Sequence, residues 1–192
     1  MFKKTLLAAA VSVMALGSVS AMAADAGLIT FDGAVTDGTC TITTNNGVDA
    51  NNVTITLPVV KAKDVQDTTI DTGVGEKIFG LHLSGCPSTV TQASATFTSM
   101  QFANVANGTL NADTTQPGYA KNVSLALYNA STSSSDRIMI GQPANNTQIA
   151  PIDETTGTGD LTYRVAYVPT STTGTVSGGS VSSNVTFTMS YN

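Results

Sequence analysis

Tryptophan is absent from this chain, histidine occurs once, and cysteine occurs twice. A protein metal site draws on three or four His, Cys or carboxylate ligands, and one histidine without a close cysteine pair does not supply them. The carboxylates Asp64, Asp67 and Asp71 cluster in a polar stretch, expected to be a solvated loop, and do not follow the spacing of a calcium loop. A Ser–His–Asp triad would have to use His82. That residue sits in Leu81-His82-Leu83, on the opposite strand face from Phe79, Leu81 and Leu83, and no serine occupies a recognisable nucleophile turn. The sequence therefore offers no catalytic residue, no metal ligand set and no cofactor site.

Charge is scarce as well. Only 11% of residues are charged, against about 25% in an ordinary globular protein. Long apolar runs are also missing, except at the start. Met1-Phe2-Lys3-Lys4 is basic, Thr5 to Leu16 is apolar apart from Thr5 and Ser12, and Ala21-Met22-Ala23 is a small-x-small cleavage site. A dozen apolar residues are too few for a membrane span, which needs roughly 20. Residues 1–23 are expected to be a cleaved secretion signal, which leaves 169 residues from Ala24 to Asn192 (192 less 23). Loss of Lys3 and Lys4 leaves 6 basic and 13 acidic residues, a net charge of −7. Nucleic-acid binding needs a basic face, so that partner class is excluded. Export to an oxidising compartment favours a bridge between Cys40 and Cys86, which are 46 residues apart.

What remains is rich in Thr, Ser, Asn, Gly and Val, and it reads as short strands. Strands are expected at Leu28 to Thr44, Asn52 to Val60, Lys77 to Ser84, Ser94 to Phe102, Asn122 to Tyr128, Arg137 to Ile140, Leu161 to Val168 and Val181 to Tyr191. No sustained 3.6-residue apolar spacing predicts a helix in the mature chain. Turn clusters such as Thr72-Gly73-Val74-Gly75, Asn107-Gly108 and Gln116-Pro117-Gly118 separate the strands. Tyr119, Tyr128, Tyr163 and Tyr167 read as strand and core residues, and Arg164 as outward-facing. Regular short strands with polar turns predict an all-β, single-domain sandwich or barrel, and the cysteine bridge favours an immunoglobulin-like sandwich.

Both ends of the mature chain are strands with clean alternation. Gly27, Ile29, Phe31, Gly33 and Val35 share one face near the start. Val185, Phe187, Met189 and Tyr191 share one face at the end, opposite Thr, Ser and Asn. An apolar strand at a free terminus is either docked in its own sheet or offered to another molecule.

Four motifs carry a family resemblance. They are Gly27-x-Ile29-x-Phe31-x-Gly33-x-Val35 followed by Asp37-Gly38-Thr39-Cys40; Val53-Thr54-Ile55-Thr56-Leu57-Pro58; Phe79 to Leu83 leading into Ser84-Gly85-Cys86; and a closing strand with glycine fourteenth from the end (Gly179) and a penultimate aromatic (Tyr191). In this order and spacing the chain resembles the major (shaft) subunits of bacterial chaperone–usher fimbriae, the type 1-like pilins. The stretch from Thr89 to Gly159 adds little to the likeness.

The resemblance implies an incomplete immunoglobulin-like β-sandwich, completed by a donor strand from a neighbouring subunit. Residues 24–36 would be the donor extension and 37–192 the pilin domain. Gly27, Ile29, Phe31 and Gly33 would form the donor face. Gly179, Val185, Phe187, Met189 and Tyr191 would line or edge the acceptor groove and be read by a chaperone. The implied partners are identical subunits, a periplasmic chaperone and an outer-membrane usher, with a host receptor as a further candidate; the implied location is a fimbrium on the bacterial surface. One departure is noted: many members carry a further apolar residue ahead of the donor glycine, where this chain has Asp25. Two other readings stay open at this point, a single-domain adhesin that binds host glycans and a secreted sandwich that completes itself.

Overall fold

The computed structural model describes residues 39–44, 50, 53–131, 136–142 and 148–192, all within one compact unit spanning Thr36–Asn192. The secretion signal and the expected strand from Leu28 as far as Gly38 lie outside the described residues.

The described elements are β1 (Thr41–Thr44), α1 (Ala62–Asp67), β2 (Val74–Ser84), β3 (Gln92–Thr98), β4 (Ala103–Asn104), β5 (Thr109–Asn111), β6 (Val123–Asn129), β7 (Arg137–Ile138), β8 (Ala150–Pro151), β9 (Gly159–Pro169) and β10 (Thr186–Tyr191). They form two antiparallel sheets. The larger runs β1-β2-β9-β6-β5-β4, with β7 also beside β6, and the smaller runs β10-β3-β8.

The long strands β6 and β9 lie side by side in the larger sheet, and both of their faces are covered. Leu125, Leu127, Leu161, Tyr163 and Val165 point into the core between the sheets. Ala126, Tyr128, Ala166 and Val168 point to the opposite face, where Ile70 packs on them. A strand buried on both sides reads as a continuous apolar run, which explains Leu-Ala-Leu-Tyr in β6 and Val-Ala-Tyr-Val in β9. On that outer face the Tyr128 hydroxyl donates to the Ile70 carbonyl at 2.7 Å, and the Arg164 guanidinium lies 3.8 Å above its ring. Arg164 does face outward as its position predicts, and it pairs with Glu76 at 3.1 Å.

The register of β1 on β2 places Thr41 opposite Ser84, so Cys40 and Cys86 meet at one end of that pair. They form the expected disulfide, with Cα atoms 4.2 Å apart. His82 lies on the outer face of β2, opposite Asp160 of β9, with Nδ1 2.7 Å from the carboxylate. It is a half-exposed strand residue, as its place between Leu81 and Leu83 implies.

Two expectations fail here. The first is the absence of helix. α1 is six residues long, too short for a 3.6-residue period to register, and it buries only Val65. Asp64 and Asp67 therefore sit on this helix, where Asp67 pairs with Lys63, while Asp71 pairs with Arg137 at 3.0 Å; they are not one solvated loop. The second is the strand at Asn52 to Val60. Val53–Val60 keeps its alternation, with Ile55 and Leu57 turned toward the core and Thr54 and Thr56 exposed, but no strand forms there. A strand is defined by its ladder partner, and among the described residues this segment has none.

Candidate functional site: an apolar groove beside the smaller sheet

β10 borders the smaller sheet. Its residues pair with β3 from Thr186↔Thr98 to Tyr191↔Ala93, and β3 is its one strand neighbour among the described residues. Its far end is well anchored, because the Asn192 carbonyl accepts from the Thr91 and Gln92 amides at 2.7 and 2.9 Å. The alternation predicted for it is realised. Phe187, Met189 and Tyr191 turn inward but stay half-buried, while Thr186, Thr188 and Ser190 are exposed. A strand of core-type side chains that are only half-buried borders an unfilled space.

That space is a groove between β10 with the segment before it and the Val53–Val60 segment with α1 after it. It has three parts: the first two share Val53, Ile55, Phe79, Asn184 and Val185, and the third lies further along the same two chain segments. The first, about 640 Å³, has Ile42, Ala50, Val53 and Ile55 on one wall, Phe79, Leu81 and Phe97 beneath, and Val185, Phe187 and Met189 on the other wall. The second, about 170 Å³, lies between Leu57 and Ser183–Val185 over Leu110, Leu125, Leu127 and Val165. The third, about 330 Å³, lies between Val59, Val60, Ala62 and Val65 and the stretch from Val176 to Val181, over Ala120, Val123 and Tyr167. Among the described residues, no charged side chain lines any of the three. The groove therefore offers apolar contact along its length and, at β10, a free backbone edge. These are the two features an extended apolar segment can use.

Of the residues singled out by sequence, Val185, Phe187 and Met189 stand along one wall. Tyr191 lies beyond the lining, packed on the main core, and burial pushes its hydroxyl pKa up. Gly179 sits in the wall at the third part. A Cβ there would come within 2.4 Å of the Gly118 carbonyl oxygen and 2.5 Å of the Ala120 nitrogen, so this glycine is needed for the close passage of two backbones joined by the Tyr119↔Ser180 bridge. Gly27, Ile29, Phe31 and Gly33 lie outside the described residues. The whole opposite wall, from Val53 through Val65, was not foreseen as part of the site. Its signal was the alternation of Val53, Ile55 and Leu57 with threonine, which by itself indicates only a strand.

Fold and groove together define an immunoglobulin-like sandwich that carries, among the described residues, a long apolar groove along one side. Comparison with known proteins agrees. A family model described as fimbrial protein matches residues 29–192. The F17 fimbrial protein of Escherichia coli is 31% identical over 182 residues, which span 93% of this chain and 94% of that protein. Among solved structures, the P pilus rod subunit PapA superposes with a TM-score of 0.59 at 13% identity, covering 81% of this chain and 100% of that one. A chaperone–usher pilus structure gives 0.56 at 16% identity, covering 88% and 96%. The chain belongs to the fimbrial protein family and is a structural subunit of a surface fimbrium.

Proposed function

We propose that the groove receives the N-terminal segment of the next identical subunit, so that the protein polymerises by donor-strand exchange. Residues 1–23 would be removed on export, residues 24–36 would be the donor extension, and 37–192 the acceptor domain. The observation that carries this reading is the pair of extended, apolar, half-buried walls, β10 and Val53–Val60, with room between them for a strand. A segment with Ile29 and Phe31 on one face has the chemistry the groove asks for. Each of those side chains gains roughly 1.5–3 kcal/mol on burial. Gly27 and Gly33 would let the incoming backbone come close where the walls narrow.

An open groove of this kind aggregates, so a second strand has to occupy it before assembly. That is the role proposed for a periplasmic chaperone, which would read Val185, Phe187, Met189 and Tyr191. An outer-membrane usher would be the place of exchange.

The test is assembly of the mature chain co-produced with its chaperone, compared with a Gly27→Arg, Phe31→Arg double variant. Unboiled samples on a denaturing gel and negative-stain microscopy give the readout. The expected result is an SDS-resistant ladder and fibres from the wild type alone. Soluble monomer from both, with no need for a chaperone, would establish a self-complete sandwich.

A further inference from the structure

At the α1 end of the groove the two walls touch. The Gln66 side chain leaves α1, and its Oε1 accepts the Val176 backbone N–H at 2.7 Å. Among the described residues this is the hydrogen bond that joins the Val53–Asp67 wall to the Val176–Tyr191 wall.

The walls differ in how they are held. The Val176 wall is fixed from behind: Ser177 N donates to the Lys121 carbonyl at 3.1 Å, Lys121 N to the Ser177 hydroxyl at 3.0 Å, and Ala120 N to the Ser180 carbonyl at 2.9 Å. The α1 wall has much less. Its helix is six residues long, carries no side-chain N-cap hydrogen bond and buries one side chain, Val65. Isolated helices of this length are unstable, and segments with few buried contacts open at low free-energy cost. At the α1 end this wall is held by the burial of Val65, by the partly buried Val60 and Ala62 packed beside it, and by one hydrogen bond across to the other wall, the Gln66 contact.

We infer that Gln66 is a positioning residue for strand exchange: its hydrogen bond clasps the weaker wall to the fixed one, and a strand enters or leaves this end of the groove only when the clasp opens. This rests on the reading of the groove as a strand acceptor. The clasp is closed before insertion and can close again beside the inserted strand. Its loss therefore lowers the barrier in both directions and leaves the equilibrium unchanged.

The test uses the mature full-length chain and a fluorescent synthetic peptide of residues 24–35, with uptake and release followed by anisotropy. Gln66→Leu keeps the bulk and removes the acceptor. Both rates should rise about five-fold, the effect of one neutral hydrogen bond, with the affinity unchanged. Gln66→Glu keeps an acceptor and should restore near-wild-type rates. Hydrogen exchange at the Val176 amide should be slow in the wild type and Gln66→Glu and fast in Gln66→Leu. Fast amide exchange with unaltered peptide rates would overturn the clasp as a barrier, and so would a change in affinity carried by one rate alone. A wild-type chain that takes up no peptide would overturn the acceptor reading itself, and the clasp with it.

Discussion

Tyr128 shows how a single residue reports on the covered outer face of the larger sheet. It is fully buried, and burial pushes its hydroxyl up to about 12 against the opposing pull of Arg164 and Arg137. The folded state therefore holds this proton at pH values where the unfolded chain has released it. The contribution is complete below about pH 10 and is lost as pH rises toward 12. Spectrophotometric titration should show one tyrosine ionising near pH 12, with stability falling between pH 10 and 12. Tyr128→Phe should remove that ionisation. Gly179 is the second case. Because a Cβ there would sit 2.4 Å from the Gly118 carbonyl oxygen, Gly179→Ala must displace one backbone or the other. The expected cost is about 1–3 kcal/mol in denaturant unfolding, with the α1 end of the groove deformed.

Among the elements, β1 and β10 depend on different restraints. β1 is four residues long and, among the described strands, pairs only with β2, with the Ala50 amide also donating to its Ile42 carbonyl at 3.3 Å, so the Cys40–Cys86 bond does much of the work of holding it. The bridge spans 46 residues, and the chain-entropy model assigns such a loop ~4 kcal/mol. Cys40→Ser with Cys86→Ser should lower the urea midpoint accordingly, and Ile42 and Thr44, which border the largest part of the groove, should become the most exchange-labile of the sheet. β10 is held by six cross-strand pairs to β3 and by Asn192. It is an edge whose apolar face is half-covered. Filling the groove should slow hydrogen exchange in β10 and in Val53–Val60 together, because one inserted strand would pair with both. Protection of β10 alone would mean that the occupant does not form a ladder with the other wall.

For the whole molecule, the donor and acceptor proposed here are different surfaces of one chain. A contact of that kind is heterologous and does not close on itself. Two variants separate the surfaces. Phe31→Arg impairs the donor and leaves the groove intact, while Phe187→Arg impairs the groove and leaves the donor. Neither should polymerise alone. Mixed, they should form one contact only and stop at a dimer, seen by size-exclusion chromatography with light scattering. Fibres from the mixture would refute the single donor–single acceptor scheme.

The strands were legible in the sequence because a period of two survives in short segments. β10 lies where Phe, Met and Tyr alternate with Thr and Ser, β2 where Phe79, Leu81 and Leu83 alternate with Gly80 and His82, and β6 and β9 where Val, Leu, Ala and Tyr cluster in short runs; the disulfide followed from two cysteines in an exported chain. The alternation of Val185, Phe187 and Met189 with polar residues marked them as one face of a strand, while their place beside a groove was implied only by the family resemblance. The tertiary structure alone decided the rest. Alternation says which side chains share a face and nothing about which strand lies beside it, so Asn52 to Val60 was read as a strand, whereas Val53–Val60 is a wall with no ladder partner among the described residues. α1 was invisible because fewer than two turns carry no period. The clasp between Gln66 and Val176 joins residues 110 apart in sequence, and only the packing of the sandwich brings them within 2.7 Å.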